Sequence, residues 1–209
     1  MGFLQNLFGL GSDRKKLSDP NFAYLFDKPP VDEWISLDLE MTGLNPKTDH
    51  ILSVGAVRIC RTDGVLTVDT ANALSIVCRP PVMPSVDSIV IHGLRPMDVE
   101  NGVSYDEMLH LLLPFIGSRP LLGFCVDMDV GFLNAQSKRM LGVNLPNKSL
   151  DISSLEQSYR QRYNRNPDAP IDKKHLNTLI KEYNIPQLPA HDALNDALMV
   201  AMLFCHLRG

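Results

Sequence analysis

Asp38 and Glu40 lie two residues apart in the stretch Trp34-Ile35-Ser36-Leu37-Asp38-Leu39-Glu40, which reads as a strand. Residues two apart in a strand share a face, so both carboxylates point one way and Leu37 and Leu39 the other. Carboxylates side by side repel one another and are costly to desolvate, and a divalent cation compensates best. Two more places offer acids: Asp129, ahead of a helical apolar pattern, and Asp196, in His191-Asp192-Ala193-Leu194-Asn195-Asp196. Four carboxylates and one imidazole converging on a cleft have the composition needed for metal-assisted hydrolysis. Taken singly, each has a plainer reading. Asp38 and Glu40 fit solvated acids at a strand end, Asp129 a helix cap, Asp196 a surface acid and His191 a loop histidine. Asp192 sits where a helix N-cap belongs and is left out of the site.

The elements that must position these residues follow from periodicity and turn signals. Residues 51–59 read as a second strand, Thr62-Asp63-Gly64 as a turn, and residues 73–77 as the end of a third strand, giving an antiparallel start. Pro80, Pro81 and Pro84 break the sheet, and Ile89-Val90-Ile91-His92-Gly93-Leu94 leads into a helix-rich part. Ser104 and Glu107 have capping-box spacing, which predicts a helix to Ile116 with Gly117 as its stop. Residues 121–124 read as a short buried strand, and residues 129–141 as a helix stopped by Gly142. A helix from Ser153, a polar loop over residues 164–172 and a helix over residues 176–183 follow. The last helix is expected over residues 193–207, with Leu194, Leu198, Ala201, Met202 and Cys205 inward. An antiparallel start followed by alternating strands and helices defines an α/β class, a mixed sheet covered by helices.

The 209 residues, 44% of them hydrophobic, suffice for one full core. Residues 1–32 read as an N-terminal extension, broken by Gly9, Gly11 and Pro29-Pro30, and residues 33–209 as the principal domain. Phe3, Leu4, Leu7 and Phe8 share a helical face suited to packing on the same chain or on a partner. A net charge of -4 excludes coating nucleic acid by bulk positive charge, while a local basic groove or metal ions can still hold a phosphate chain. Lys138-Arg139, Arg160, Arg162, Arg165 with Tyr159 and Tyr163, and Lys173-Lys174 are candidates to steer such a chain, or make solvated helical faces. Cys60, Cys78, Cys125 and Cys205 are scattered, which suggests neither a zinc site nor a disulfide framework and fits a reducing, cytoplasmic setting. No apolar run approaches membrane-spanning length, and the opening is too short for a signal peptide, so no membrane partner is expected.

Three motifs, in order, carry a resemblance: Asp38-Leu39-Glu40, Asp129-Val130-Gly131-Phe132-Leu133, and His191-Asp192-Ala193-Leu194-Asn195-Asp196-Ala197. Together they resemble the three motifs of the DEDDh 3′-5′ exonuclease family, over about residues 33–207. Ile91-His92-Gly93-Leu94 and the closing motif resemble the proofreading epsilon subunit of bacterial DNA polymerase III. Asp38-Leu39-Glu40-Met41-Thr42-Gly43-Leu44 is instead similar to the oligoribonuclease form of the first motif. One departure stands out. The family often has His-Asn just ahead of the middle Asp where this chain has Phe124-Cys125, and Met128 replaces the usual Phe.

The resemblance implies a ribonuclease H-like fold and a site for two divalent ions, Mg2+ or Mn2+. In it Asp38 bridges both ions, Glu40 and Asp196 complete the first, and Asp129 holds the second, partly through water. It makes His191 the general base, as suits an imidazole, which titrates near neutral pH. It also places Met41, Thr42 and Leu44 against the 3′-terminal nucleotide and His92 near its base or sugar. The expected activity is 3′-5′ hydrolysis of single-stranded DNA to nucleoside 5′-monophosphates, with a DNA polymerase subunit as a possible partner. Two alternatives stay open: an RNA-directed, oligoribonuclease-like exonuclease, and a catalytically silent domain that binds nucleic acid or a polymerase.

Overall fold

The computed structural model describes residues 13–163 and 172–209. Residues 1–12, with the apolar face of Phe3 to Phe8, and residues 164–171, with most of the expected polar loop and Arg165, lie outside the described part. Five strands form one mixed sheet in the order β3-β2-β1-β4-β5. They are β1 Glu33–Met41, β2 Ile51–Thr62, β3 Val65–Val77, β4 Leu121–Gly123 and β5 Ser149–Asp151. The first three make the expected antiparallel meander, and β4 and β5 add in parallel beyond β1. The β4–β5 pair needs a crossover, which a helix supplies.

Seven α-helices complete the described fold: α1 Val86–His92, α2 Pro96–Val99, α3 Tyr105–Ile116, α4 Val126–Leu141, α5 Ile152–Tyr163, α6 Leu176–Glu182 and α7 Ala193–Arg208. The capping box of α3 forms as expected: the Ser104 amide donates to Glu107 Oε2 at 2.8 Å, and the Glu107 amide donates to Ser104 Oγ at 3.3 Å. Helix α4 begins one turn earlier than its apolar pattern indicates. The chain bends after β4 through Cys125, which takes the left-handed conformation at φ 57°, so the helix starts at Val126 and Asp129 lies inside its first turn.

Alternation along β1 divides the core in two. Ile35, Leu37 and Leu39 pack with α3 and α4 on one face, beside Leu109, Leu112, Phe132 and Leu133. On the other face Trp34, Val57 and Ile59 pack with α6 and α7, beside Leu179, Val200 and Phe204. Ser36, Asp38 and Glu40 therefore face the α7 side. The inward stripe of α7 differs from the expected one. Of the five residues named from sequence only Ala201 is fully buried, and Leu194, Leu198, Met202 and Cys205 are half-buried. The deepest positions are Ala193, Ala197, Met199, Val200, Ala201, Leu203 and Phe204, because α7 lies across four strands and buries a wider arc than a single stripe.

The segment ahead of β1 is also part of the core. A 3-10 helix, Pro20–Phe26, is capped by Asp19 and inserts Phe22 and Leu25 against α3 and α4. The Ser18 amide donates to Leu141 O at 2.9 Å, and Arg14 pairs with Asp27. No helix among the described residues is long and apolar enough to cross a membrane.

Leu37 is fully buried opposite the acid-bearing face. Truncation to Ala in such a position is expected to cost about 2–5 kcal/mol, measured by urea unfolding with and without the substitution. A loss below about 1 kcal/mol would show that β1 is not the packed centre of the sheet.

Candidate active site

The strand carrying Asp38 and Glu40 ends in an irregularity of register. Asp38 pairs with Gly55 and Glu40 with Ser53, but the register then slips so that Met41 faces Ile51. Bulges of this kind bend a strand end and re-aim its side chains. The turn that follows is tied to the chain ahead of β2: the Thr42 amide donates to His50 O and the His50 amide to Thr42 Oγ1, both at 2.9 Å. The Asn45 amide donates to Asp49 Oδ2 at 2.8 Å. This frame leaves Leu44 72% exposed beside the acids, while Met41 packs against the core.

Helices α4 and α7 bring the remaining acids to the same end of the sheet. Asp129 is only 4% exposed, turned inward from the first turn of α4. Asp192 caps α7, its Oδ1 accepting from the Asn195 amide at 2.9 Å, as the sequence indicates. Asp196 follows in the first turn, and its Oδ2 accepts the His191 amide at 3.3 Å. That contact depends on His191 adopting a left-handed backbone at φ 62°, which turns its exposed side chain back towards the acids. One ligand atom each of Glu40, His191 and Asp196 lies within 4.8 Å of the others.

The electrostatics are those of acids pressed together. Burial pushes the Asp38 carboxyl well above its ordinary range, and the charges of Asp129, Asp196, Glu40 and Asp192 push it further. Glu40 is raised to about 7, first by burial and then by Asp196 and Asp192. Asp129 is raised well above the usual value by burial, with the Leu39 backbone amide opposing and Glu40 adding to the rise. Asp196 is raised by burial while the His191 amide and imidazole oppose it. Asp192 is thus a cap whose charge still reaches Asp38 and Glu40. Every charge acting on Asp38 is another carboxylate.

These donors fit a hard divalent cation. They are carboxylate oxygens, Glu40 is 8% exposed, and Asp196 Oδ1 is buried and unpaired. Buried polar atoms without partners are rare and call for an ion or water. Asp38 is half-buried, so the cluster stays reachable from solvent.

Several functional contacts were not legible in the sequence. His92 is 8% exposed at the end of α1, with Nε2 2.6 Å from Ser88 Oγ and Nδ1 accepting the Leu94 amide at 3.0 Å. That pattern leaves the Nε2 proton pointing to Ser88 and neither ring nitrogen free for a ligand. Burial lowers its pKa, and His191 nearby lowers it further. Ser88 stands four residues before His92, a helical spacing that was the available signal. Cys125 is exposed at the strand-to-helix bend, near Asp129, Asp151 and Lys173. Of the basic residues singled out from sequence, Arg139 pairs with Asp106, Arg160 with buried Glu156, and Lys174 with Glu182.

A mixed sheet of this order flanked by helices is a ribonuclease H-like α/β fold, here with a carboxylate cluster at one strand end. The chain belongs to the exonuclease family RNase_T, whose family model matches residues 35–204. The PolC-type DNA polymerase III of Thermotoga maritima is 28% identical over 171 residues, which cover 82% of this chain but 11% of that protein. This chain thus spans about a tenth of the length of the PolC-type relatives it matches. The DNA polymerase III epsilon subunit of Aquifex aeolicus is 23% identical over 187 residues, covering 90% of this chain and 86% of that protein. Among solved structures, Escherichia coli exonuclease I in complex with a dA16 oligonucleotide has the same fold, with a TM-score of 0.67 and 17% identity over 83% of this chain and 40% of that one. Exonuclease X in complex with 5′ overhanging duplex DNA matches at a TM-score of 0.57 with 20% identity, over 83% of this chain and 90% of that one.

The raised carboxyls set a pH dependence. Unfolded Asp and Glu titrate near pH 4, so between there and about pH 7 the folded chain holds more protons than the unfolded one. Metal-free stability is therefore fully present at the acidic end and lost as pH rises through that window. Thermal unfolding in chelator is expected to show Tm falling from about pH 5 to 8, with Mg2+ restoring it at the upper end. A metal-free Tm that rises across that interval in the wild type, or the same slope in Asp38→Asn, would contradict the cluster's electrostatics.

Proposed function

We propose that this chain is a metal-dependent 3′-5′ exonuclease that releases nucleoside 5′-monophosphates from single-stranded DNA. The observation that carries the reading is the meeting of Asp38, Glu40, Asp129, Asp196 and His191 at one strand end in a member of the exonuclease family. Residues 33–209 form the exonuclease domain, with residues 1–32 as an extension of it. The epsilon and PolC-type relatives make DNA the first substrate and a polymerase subunit a candidate partner.

Asp38, Glu40, Asp129 and Asp196 would hold two ions, Mg2+ or Mn2+, with Glu40 and Asp196 on one side of Asp38 and Asp129 on the other. Such ions would supply charge neutralisation at the attacked phosphate and at the entering and leaving oxygens. The chain's own residues do the rest. Water attacks the phosphorus of the terminal phosphodiester, the bond to the 3′ oxygen breaks, and that oxygen takes a proton from solvent and leaves as the new 3′ hydroxyl. His191 accepts the proton lost by the attacking water at its free ring nitrogen, and its exposure lets it pass that proton to solvent. Its backbone amide, bonded to Asp196, fixes the base relative to the carboxylates. Exposed Leu44 wedges against the terminal base, and the turn of Met41 and Thr42 carries the strand end past the acids. His92, with both nitrogens engaged, shapes this wall through its ring.

The first motif favours RNA as a second reading, and one assay separates the two. Single-stranded DNA and RNA of one sequence, labelled at either end, are incubated with Mg2+, Mn2+ or chelator. Metal-dependent shortening of DNA from its 3′ end is expected, abolished in Asp38→Ala. His191→Ala is expected to lose about 10²- to 10⁴-fold in rate while still binding Mn2+. Degradation confined to RNA would move the assignment to the second reading, and cleavage of neither polymer would make this a silent binding domain.

A further inference from the structure

Two contacts outside the acid cluster fix the distance between its halves. Asp38 and Glu40 are carried by β1, whereas His191 and Asp196 are carried by α7 and the turn before it. On β1, Ser36 shares the face of Asp38 and is fully buried, and its Oγ donates to Ala197 O on α7 at 2.7 Å. On β2, Gly55 is the ladder partner of Asp38. A methyl group at Gly55 would fall 2.2 Å from Ala193 C and Leu194 N and 2.3 Å from Ala193 O. The first turn of α7 thus rests directly on the backbone of β2, and its second turn is bonded to β1. Ala193 and Ala197, one helical turn apart and both buried, present the small surface this approach requires.

We infer that Ser36 and Gly55 are positioning residues that set how closely Asp196 and His191 approach Asp38 and Glu40. The inference rests on the exonuclease reading of the site and adds to it the means by which the helix-borne ligands are placed. Glycine within a strand weakens it unless another backbone must come close, and here that backbone is the α7 N-terminus. To admit a methyl at ordinary contact distance α7 would have to retreat by about an ångström, a displacement large against the tolerance of a metal or catalytic site. The Ser36 bond resists sliding of α7 along the sheet, since it joins groups 161 residues apart in sequence and is shielded from water.

The test compares wild type with Ser36→Ala, Ser36→Thr and Gly55→Ala in the full chain. Mn2+ affinity is measured by titration calorimetry, kcat and KM on single-stranded DNA, and folding by circular dichroism. Folded Gly55→Ala is expected to bind Mn2+ about tenfold more weakly and to lose about 10²-fold in kcat with KM little changed. Ser36→Ala is expected to lose several-fold in Mn2+ affinity, with Ser36→Thr restoring it. If Gly55→Ala does not fold, the Ser36 pair decides the matter. Wild-type Mn2+ affinity in the folded Ala variants would overturn the inference, as would a wild type that binds no Mn2+. A wild type that binds Mn2+ without hydrolysing DNA or RNA would remove the exonuclease reading and leave positioning to be judged on affinity alone.

Discussion

Mutual repulsion among Asp38, Glu40, Asp129 and Asp196 is the constraint around which this fold is arranged. Burial raises each of them, and neighbouring carboxylates raise Asp38, Glu40 and Asp129 further, so the ionised cluster works against the folded state. A chain selected for stability alone would place apolar residues at such positions, as Leu37 and Leu39 do on the opposite face of the same strand. Retaining unpaired acids there is understandable when the compensating charge comes from outside. The carboxylate oxygens of Asp38, Glu40, Asp129 and Asp196 are a donor set suited to a hard divalent cation.

The rest of the architecture delivers these groups to one place from distant parts of the chain. Strand β1 supplies two acids by simple alternation, and its register slips just beyond them at Met41. Two non-glycine residues in the left-handed conformation, Cys125 and His191, stand just ahead of the helices that carry Asp129 and Asp196. Cys125 bends the chain so that Asp129 turns inward from α4, and His191 folds its amide onto Asp196. Asn accepts the left-handed region more readily than most residues, which gives a physical reason for Asn at the place Cys125 occupies here. Local backbone strain of this kind persists where surrounding structure over-determines it.

Much of this was legible from residue order. Period two in the first strand put Asp38 and Glu40 on one face, the Ser104–Glu107 spacing gave a helix start, and Asp192 was readable as a cap. The early start of α4 was hidden because it depends on the left-handed Cys125, a conformation cysteine does not advertise. The inward face of α7 was misread because a helix crossing four strands buries more than one stripe, so half-buried Leu194 and Met202 stood in for Ala193 and Ala197. Phe22 and Leu25 were assigned to an extension because the proline and glycine breaks around them describe local chain direction, not the groove between α3 and α4 that receives them. His92 was legible as a histidine near the site, but the Ser88 and Leu94 contacts that occupy its ring are tertiary and helical details no motif displays.

The central claim, that the acid cluster is built around divalent cation, is tested most directly by anomalous diffraction from a crystal of the chain grown with Mn2+. The account predicts anomalous peaks within bonding distance of Asp38, Glu40 and Asp196, with Asp129 facing a second peak or its water shell. A well-ordered cluster in saturating Mn2+ with no peak, its carboxyls protonated and hydrogen-bonded to one another, would contradict it.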